Sequence, residues 1–508
     1  MSPALKSLLS RTALRRSYHH HHHPISRRAM SSSVVPLIIN GKDVETTSTM
    51  RIMSPLTNEE IWKMSCARVE DVEQAVQKAH EAFGNWSSWK GTQRRDLFLR
   101  AADIMDRRRT ELCGYMRDEI AADDEFQGFV LNNAIDSLRD TAGRISHAVE
   151  GSVPESAMPG MRAMVYKRPY GVVLGIAAWN GTYALGTRAI SSALAAGNTA
   201  VLKGAEFSPK CHWAIADVFR EAGLPDGCLN LIFHSPSDAE TITNALVTHP
   251  LVKKINFTGS TRVGRLIAAN AGKHLKPVLL ELGGKASAIV MRDADLEQAA
   301  VHCVRGAFLN SGQICMSTER ILVHRSIADD FREMLKTKTM ELYGSAGLTP
   351  ILISDVSATR NRGLVSQAAD KGATPLPIFS KNDAEATQPS NRMRPVILDN
   401  VDTTMDVYKT ESFGPSVSLF TFESEAEAVK LANDTEYGLS AAVFSEDLKA
   451  AFRIADALES GAVHINSMTV HDESSLPHGG VKDSGFGRFN GNQGLDEFMY
   501  YKTVTWME

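Results

Sequence analysis

Cys315 lies in a polar, glycine-containing loop between a predicted helix and a predicted strand (residues 310–320, NSGQICMSTER). A thiol on such a loop can meet a ligand, and as a thiolate it can attack an electrophilic carbon. A nucleophilic cysteine normally needs a cation, a helix N-terminus or a base to favour the thiolate. A single cysteine in a loop is also commonly a bystander, so both interpretations stay open on this segment alone.

Glu281 ends an apolar strand and is followed directly by two glycines and a lysine (residues 279–285, LLELGGK). A carboxylate at the end of a strand can act as a general base, and partial burial would raise its pKa. The alternative is a structural role, either as a helix cap or in a salt bridge to Lys285. Taken by itself, the segment favours the structural alternative.

Two other predicted strand ends carry polar groups suited to ligands. Asn180, in the segment 176–181 (IAAWNG), can donate its amide to an oxyanion, although an Asx turn would also explain it. The segment 257–264 (FTGSTRVG) leaves a strand and opens a helix, where glycines and hydroxyls suit a pyrophosphate. Its spacing is not GxGxxG, so this segment alone is weak evidence.

These residues need a scaffold that brings distant strand ends together. Short apolar strands alternate with amphipathic helices from residue 172 to Glu281, and a second series follows from residue 287 to residue 465. The first series predicts strands at 172–178, 199–203, 229–233, 252–257 and 277–281 and helices near 184–196, 209–222, 237–248 and 261–271. The alternation predicts an α/β fold with two doubly wound parallel sheets, which bind ligands at the carboxyl ends of their strands.

Two further segments, 161–170 and 497–507, have the composition of strands but lie outside both series. They are rich in Tyr, Val and Met. Because lone strands need partners, these segments predict a small β-sheet used for oligomerisation.

The composition restricts the partners. The 508 residues are 43% hydrophobic and 22% charged, with a net charge of -4 that gives no basic surface for nucleic acid. No apolar run reaches the roughly 18 residues that cross a membrane. The six cysteines show no CxxC pair and no Cys/His spacing for a metal, so free thiols in a reducing compartment are expected. We therefore expect a soluble protein whose partners are small molecules or copies of itself.

The segment 1–33 differs from the rest of the chain because it has no acidic residue and is punctuated by Lys and Arg among Ser, Ala and Leu. This composition is typical of a mitochondrial transit peptide. The alternatives are a disordered tail and, with a start at Met30, a shorter cytoplasmic form. The run His19 to His23 fits either a natural tract or a tag.

Together the four segments resemble the aldehyde dehydrogenase superfamily, from about Pro36 to the C-terminus. The blocks GQICMSTER, LELGGK, FTGST and GVKDSGFGR occur in the order and spacing of that family. The strings TVHDE (469–473) and CMSTER (315–320) look most like the salicylaldehyde and vanillin dehydrogenases, which oxidise aromatic aldehydes. The resemblance implies NAD-dependent oxidation of an aldehyde to its acid through a thioester.

The resemblance also implies roles for individual residues. Cys315 would be the nucleophile, Glu281 the general base, and Asn180 with the Cys315 N–H the oxyanion hole. The implied cofactor-binding residues are Trp179, Lys203, Glu206, Gly259, Ser260, Gly264, Glu411 and Phe413. A carboxylate at Glu206 accepts from ribose hydroxyls but repels a 2′-phosphate, so NAD is favoured over NADP.

The implied organisation is an NAD-binding domain (34–148 and 171–282), a catalytic domain (283–481) and oligomerisation strands (149–170 and 487–508) in a homodimer or homotetramer.

For the substrate pocket, Gly181 would leave room for a planar ring, Phe126 would stack on it and Arg188 would bind a ring hydroxyl. The alternative is that Arg188 forms an internal salt bridge and that Phe126 packs in the core.

Several positions depart from the commonest family pattern, namely Ala178, Gly204, His478 and a short loop from Tyr343 to Asp355. The first two could shift the Asn180 amide or loosen the adenosine site. Two rival functions follow from the same resemblance. A CoA-acylating dehydrogenase is disfavoured by Glu281, and a non-catalytic NAD-binding member is disfavoured because every reacting side chain is present.

Overall fold

Two mainly parallel seven-stranded sheets form the core of the computed structural model, which describes residues 33–344, 349–379 and 389–508. The predicted N-terminal segment 1–33 lies outside the described residues apart from Ser33. The loop from Tyr343 to Asp355 lies partly outside them.

The strands, numbered along the chain, are β1 (Val34–Val35), β2 (Leu37–Ile39), β3 (Lys42–Val44), β4 (Thr49–Met53), β5 (Glu60–Ser65), β6 (Met161–Pro169), β7 (Val172–Ile176), β8 (Thr199–Lys203), β9 (Leu229–Ile232), β10 (Val252–Thr258), β11 (Val278–Glu281), β12 (Ala286–Val290), β13 (Thr318–His324), β14 (Thr374–Pro375), β15 (Val396–Asp399), β16 (Ser416–Phe422), β17 (Tyr437–Gly438), β18 (Ser440–Phe444), β19 (Ala462–Ile465), β20 (Val481–Lys482) and β21 (Met499–Met507).

The α-helices are α1 (Val69–Ser88), α2 (Gly91–Arg107), α3 (Arg109–Ile120), α4 (Asp124–Ala148), α5 (Thr182–Ala195), α6 (Pro209–Glu221), α7 (Ala239–Thr248), α8 (Thr261–Lys273), α9 (Leu296–Phe308), α10 (Ala328–Tyr343), α11 (Asp355–Asp370), α12 (Asp406–Lys409), α13 (Glu425–Asn433), α14 (Leu448–Ala457) and α15 (Gly491–Asp496).

The first sheet has the order β11-β10-β7-β8-β9-β2-β3, and its first five strands run parallel. Ile176 lies opposite both Lys203 and Phe257, and Thr258 lies opposite Glu281. The carboxyl ends of four strands therefore meet at one edge of the sheet. Helices α1, α7 and α8 pack together on one face and α5 and α6 on the other, which confirms the predicted doubly wound arrangement.

The second sheet has the order β14-β15-β16-β13-β12-β18-β19, in which only β14 runs antiparallel to its neighbour. Strand β12 begins at Ala286, and four residues separate it from the end of β11. The short link carries the chain from the carboxyl edge of one sheet to the amino edge of the other. Because the Cys315 loop precedes β13, it lies at this amino edge, in contrast to the strand-end residues of the first sheet.

The two lone strands pair with each other. β6 and β21 form an antiparallel pair over nine residues, from Met161 opposite Met507 to Pro169 opposite Met499. Most of β21 is exposed, including Tyr501 and Trp506. A small sheet is confirmed, while its use in oligomerisation stays a prediction. Within the described ranges, no helix is both long and apolar enough to span a membrane.

Candidate active site

The Cys315 loop is held by an unusual backbone. Asn310, Ser311 and Gly312 all have positive φ angles, of 50°, 62° and 71°. A Cβ on Gly312 would lie 2.2 Å from the carbonyl oxygen of Gly414, so only glycine fits there. After the turn, the Gln313 side chain donates to the carbonyl of Asn310 and accepts from the N–H of Ile353 at 2.9 Å. The thiol is therefore presented by a fixed loop.

Glu281 faces this thiol. The Cys315 Sγ lies 3.4 Å from Oε1 of Glu281 and donates a hydrogen bond to it. The glycines after Glu281 allow the approach, since a Cβ on Gly284 would lie 2.1 Å from the Cys315 carbonyl oxygen and one on Gly283 would lie 2.7 Å from a Glu411 carboxylate oxygen. The structure thus brings together the two groups that the sequence nominated for nucleophile and base.

Three charged or titratable side chains surround Glu281, which is only 1% exposed. Arg188 Nη1 donates to Oε2 of Glu281 at 3.2 Å, and its Nη2 pairs with Asp472. His478 Nε2 lies 3.0 Å from Oε1 of Glu281, and His478 Nδ1 lies 3.8 Å from Asp472. Asn490 Nδ2 donates to Asp472 at 3.0 Å. Glu281 is therefore one member of a buried ionic cluster.

The cluster corrects two expectations about Glu281. Burial alone would raise the pKa of this carboxyl, but the charges of His478 and Arg188 outweigh it and lower the pKa to about 2. The predicted raised pKa is therefore wrong. The alternative salt bridge to Lys285 is also wrong, because Lys285 pairs with Glu319 in the interior.

The Arg188 alternative is the one observed: its guanidinium forms an internal salt bridge. Phe126 is likewise buried, in the core beside Phe129 with ring centroids 6.2 Å apart. Gly181, at the start of α5, is buried as well, and a Cβ there would make ordinary contact with Leu185 at 3.5 Å. The three residues nominated for the substrate pocket are all within the protein rather than on its surface.

The thiol itself is protonated at rest. Burial, followed by the charge of Glu281, raises the pKa of Cys315 well above its ordinary value. The residue nevertheless keeps partial exposure to solvent. Because no cation outweighs these effects, the sulfur must lose its proton as it attacks, and the hydrogen-bonded Glu281 is in place to accept it.

Asn180 lies beside the same loop. Its Nδ2 donates to the Gln313 carbonyl at 2.9 Å, which fixes the amide two residues before Cys315, and its own carbonyl accepts from Asn310 Nδ2 at 3.3 Å. Among the described residues, the second N–H of this amide and the backbone N–H of Cys315 have no acceptor. These two donors are available to an oxyanion. Ala178, which departs from the family pattern, does not prevent this arrangement.

The residues nominated for the adenosine side, Lys203 and Glu206, lie at the carboxyl end of β8 and just after it. Lys203 Nζ lies 3.6 Å from Oε2 of Glu206. At Gly204 a Cβ would lie 2.3 Å from the Phe233 ring, so that ring fills the space a larger residue would need. The adenosine site is therefore not loosened by glycine at position 204.

The start of α8 fits an anion only in part. Ser260 is exposed and caps α8, its hydroxyl accepting from the N–H of Val263 at 3.4 Å. The N–H groups of Gly259 and Gly264 already donate to the carbonyls of Glu281 and Ser260. A pyrophosphate would therefore meet the helix N-terminus rather than these two glycine amides.

The segment that carries Glu411 and Phe413 is held by hydrogen bonds to the buried carboxylate of Glu319. Glu319, paired with Lys285, accepts from the N–H groups of Ser412 and Phe413 at 2.8 and 3.1 Å. Glu411 accepts from the N–H of Gly284 at 2.8 Å, and burial together with Glu319 raises the pKa of Glu411 to about 7.

Aromatic rings lie beside the residues nominated for the nicotinamide. Trp179 packs edge-on against Phe413, with ring centroids 5.9 Å apart. Within the described ranges, no group of three His, Cys, Asp or Glu residues could hold a metal ion.

An open pocket of about 650 Å³ borders the ionic cluster. Asp472, Glu473, Ser474 and Ser475 line one side of it, and α4 supplies the other. The α4 side chains that line it are Phe129, Asn132, Asn133 and Asp136. Asp472 is the member of the ionic cluster that lines this pocket.

Comparisons with known proteins match this geometry to one family. The model of the Aldehyde dehydrogenase family matches residues 43–504, which is most of the chain. The chain belongs to the aldehyde dehydrogenase family. The predicted enzyme class is therefore confirmed.

Individual relatives are similar over almost their whole length. A vanillin dehydrogenase from Pseudomonas fluorescens is 41% identical over 478 residues, 93% of this chain and 97% of the relative. The crystal structure of a salicylaldehyde dehydrogenase from Pseudomonas putida G7, complexed with salicylaldehyde, has a TM-score of 0.89 and 38% identity, covering 94% of this chain and 98% of that chain. A betaine aldehyde dehydrogenase from Staphylococcus aureus in complex with NAD+ has a TM-score of 0.87 and 30% identity, with 93% and 94% covered.

These relatives come from bacteria, so the comparisons give no support to the predicted mitochondrial location. The segment on which that prediction rests lies outside the described residues. The mitochondrial interpretation of residues 1–33 is therefore not carried further.

Two site residues of this dehydrogenase were missed by sequence reasoning. His478 was noticed only as a departure from the family pattern, and Asp472 only as a letter in the TVHDE string. Both join Glu281 through contacts between segments far apart in the chain. The one available signal was that a titratable residue replaced an apolar one directly before the paired glycines at 479–480.

Proposed function

We propose that this dehydrogenase oxidises aromatic aldehydes to carboxylic acids with NAD, through a thioester on Cys315. The observation that carries the proposal is the hydrogen bond of 3.4 Å between the Cys315 thiol and the Glu281 carboxylate. Two donors without an acceptor, on Asn180 and on the Cys315 backbone, lie beside the same thiol. Nucleophile, base and oxyanion donors are thus assembled in one place.

In the first half of the reaction, the Cys315 sulfur forms a bond to the aldehyde carbon while its proton passes to Glu281. The carbonyl oxygen becomes an oxyanion that accepts hydrogen bonds from the Asn180 amide and the Cys315 N–H. NAD, when bound, supplies the acceptor for the hydride of the aldehyde carbon. An acyl group is left on Cys315 as a thioester.

In the second half, Glu281 takes a proton from water, and the water oxygen adds to the thioester carbon. The same two donors hold the oxyanion. The carbon–sulfur bond then breaks and the proton on Glu281 passes to the sulfur, which frees the carboxylic acid and regenerates the Cys315 thiol. A buried carboxylate beside the sulfur supports transfer of the acyl group to water over transfer to CoA. It also argues against a non-catalytic member.

The residues of the adenosine side fit NAD. The Glu206 carboxylate, partly exposed beside Lys203, can accept from ribose hydroxyls and would repel a 2′-phosphate. Burial raises the pKa of Glu206, but the charge of Lys203 outweighs this effect and lowers the pKa, so the carboxylate is ionised at neutral pH. The complex of the Staphylococcus aureus relative with NAD+ supports the same cofactor.

The aromatic substrate class is supported by two relatives named for vanillin and salicylaldehyde. In this chain, Gly181 adjoins Asn180 and leaves the wall beside the oxyanion donors without a side chain. Arg188 remains the candidate for a ring hydroxyl, through an Nε–H that has no partner among the described residues. Phe126, buried beside Phe129, would contact the substrate ring only at its edge.

The proposal also assigns a role to each part of the fold. The first sheet with helices α1 to α4 would bind NAD, the second would carry Cys315, and the exposed β6–β21 pair would join copies of the chain as a homodimer or homotetramer. The bacterial relatives fit the cytoplasmic alternative for its location.

A panel of aldehydes assayed with NAD and NADP tests the proposal. Hydroxybenzaldehydes with NAD should give the highest kcat/KM, with stoichiometric carboxylic acid as product. Formation of an acyl-CoA only when CoA is added would instead favour the CoA-acylating alternative. Complete absence of NADH formation with every aldehyde would favour a binding role.

A further inference from the structure

The cluster around Glu281 contains two carboxylates and one permanent cation. Glu281 and Asp472 are both buried, and Arg188 is the one arginine or lysine among the described residues that pairs with them. Neighbouring charges outweigh burial and lower the pKa of Asp472 as well as that of Glu281, so both are ionised. Arg188 alone therefore balances only one of the two carboxylates, and His478 is the other titratable group beside both of them.

Glu281 must also release the protons it accepts. At 1% exposure it has no direct path to water, and the pKa of about 2 makes it a poor resting place for a proton. His478 Nε2 is the nearest titratable atom, 3.0 Å from Oε1 of Glu281. This nitrogen is buried and lies within hydrogen-bonding distance of the carboxyl. A proton on Oε1 can therefore pass to it directly.

His478 reaches towards the exterior where Glu281 does not. Its ring is 8% exposed, and its Nδ1 lies 3.8 Å from Asp472, which lines the open pocket. Two further histidines lie in this region, His464 and His471, with their rings 4.9 Å apart. The groups that face His478 are thus Glu281, Asp472, Arg188 and the neighbouring His464.

We propose that His478 is a positioning residue that accepts from Glu281 the proton taken from the Cys315 thiol and passes it to solvent, so that the carboxylate is ready to take a proton from water. The O–H bond of the Glu281 carboxyl breaks, an N–H bond forms at Nε2, and the charge-balanced cluster then loses a proton to water. No oxidant or further reactant is consumed. This inference rests on the proposed role of Glu281 as base.

Chemical rescue tests it in the full-length protein. In His478→Ala, NADH release in the first turnover should be less affected than the steady rate, which should fall by about tenfold to a hundredfold. Added imidazole should restore the steady rate in proportion to its concentration, because it fits the space left by the ring and carries the proton. His464→Ala, which removes a neighbouring histidine that does not contact Glu281, is the control and should show no such rescue.

His478→Gln separates proton transfer from structure. Glutamine can keep a polar contact to Glu281 but cannot carry a proton, so this variant should stay as slow as His478→Ala. A steady rate in His478→Gln equal to that of the unchanged protein would overturn the proposal, as would a slow His478→Ala that imidazole leaves unchanged. Full turnover in Glu281→Gln would instead show that Glu281 is not the base. That result does not involve His478, so failure of the proposed function can be told apart from failure of the proton-transfer proposal.

Discussion

Arg188 Nη1 lies 3.2 Å from Oε2 of Glu281, and both side chains are withdrawn from solvent. A buried carboxyl without such a partner would be largely neutral, because burial penalises its charged form. Here the charges of His478 and the guanidinium keep the base ionised at neutral pH, and they also make it a weaker base. The pair therefore explains how a fully enclosed glutamate can accept a proton from a thiol or from water.

Replacing Arg188 with Met should change the pH dependence of the steady rate. Without the guanidinium, burial and the facing Asp472 raise the pKa of Glu281 from about 2, so the base becomes protonated as the pH falls through a higher value. The rate should fall more at pH near 5 than at pH near 8. A pH profile of kcat measures this, with Arg188→Lys as the control that keeps a cation.

The free energy of unfolding should also depend on the pair of Arg188 and Glu281, and the effect of losing the pair should be larger at neutral pH than in acid. A carboxyl whose pKa is lowered in the folded protein stabilises it above the ordinary pKa, and this contribution is lost as the pH falls towards 2. Arg188→Met should therefore lose about 3–5 kcal/mol of unfolding free energy at neutral pH, as expected for breaking a buried ion pair, and less in acid. An equal loss at both pH values, measured by denaturant titration, would contradict this account.

Replacing Cys315 with Ala should abolish NADH formation while NAD binding is nearly retained. The thiol is needed for the bond to the aldehyde carbon, whereas the nominated cofactor residues lie on other strands. Isothermal titration with NAD and an assay with a hydroxybenzaldehyde make the two measurements. Cys303→Ala, which removes a buried cysteine of α9 away from Glu281, is the matched control.

Much of the fold was predictable from local sequence. Apolar β-branched runs and amphipathic stretches gave strands and helices close to those observed, such as β8 at the predicted bounds 199–203. The antiparallel strands β2 and β3 were not predicted, because their place beside β9 depends on pairing of Ile38 with Leu231, far along the chain. The pairing of β2 with β9 has no local signature, whereas Asn40 and Gly41 between β2 and β3 are a local hairpin signal that was not used.

The site was predictable in its members but not in its electrostatics. Strand ends and loop chemistry nominated Cys315, Glu281 and Asn180, and the structure brings them together. The partner of Glu281 was misjudged because Lys285 is near it in sequence, whereas folding places Arg188 beside it and gives Lys285 to Glu319. The sign of the pKa shift depends on these long-range partners and could not follow from the strand end alone.

Replacing Glu281 with Gln should slow thioester hydrolysis more than hydride transfer. An amide cannot accept the proton of water, while removal of the carboxylate also lowers the cost of forming the buried thiolate. We expect a burst of about one NADH per site followed by slow turnover. Stopped-flow absorbance resolves the two phases, and an unchanged steady rate would exclude Glu281 as the base.

Replacing Glu206 with Gln should reduce the preference for NAD over NADP. The substitution removes the negative charge that repels a 2′-phosphate, and Lys203, now without its partner at 3.6 Å, can attract that phosphate. The ratio of kcat/KM values for the two cofactors measures the change. Equal use of NAD and NADP by the unsubstituted protein would by itself contradict the proposed role of Glu206 in excluding a 2′-phosphate.

The last prediction concerns the substrate and depends on Gly181. A Cβ at this position would meet only Leu185, at 3.5 Å, so Gly181→Ala should fold normally and change kinetics little. Gly181→Phe would place a ring beside the Asn180 amide, where the aromatic ring of the substrate is proposed to lie. Its kcat/KM for hydroxybenzaldehydes should fall by at least about tenfold, corresponding to roughly 1.4 kcal/mol, while that for acetaldehyde should change much less. If Gly181→Phe weakens both substrates alike, or if hexanal outperforms every aromatic aldehyde with the unchanged protein, the substrate proposal is wrong although the family assignment stands.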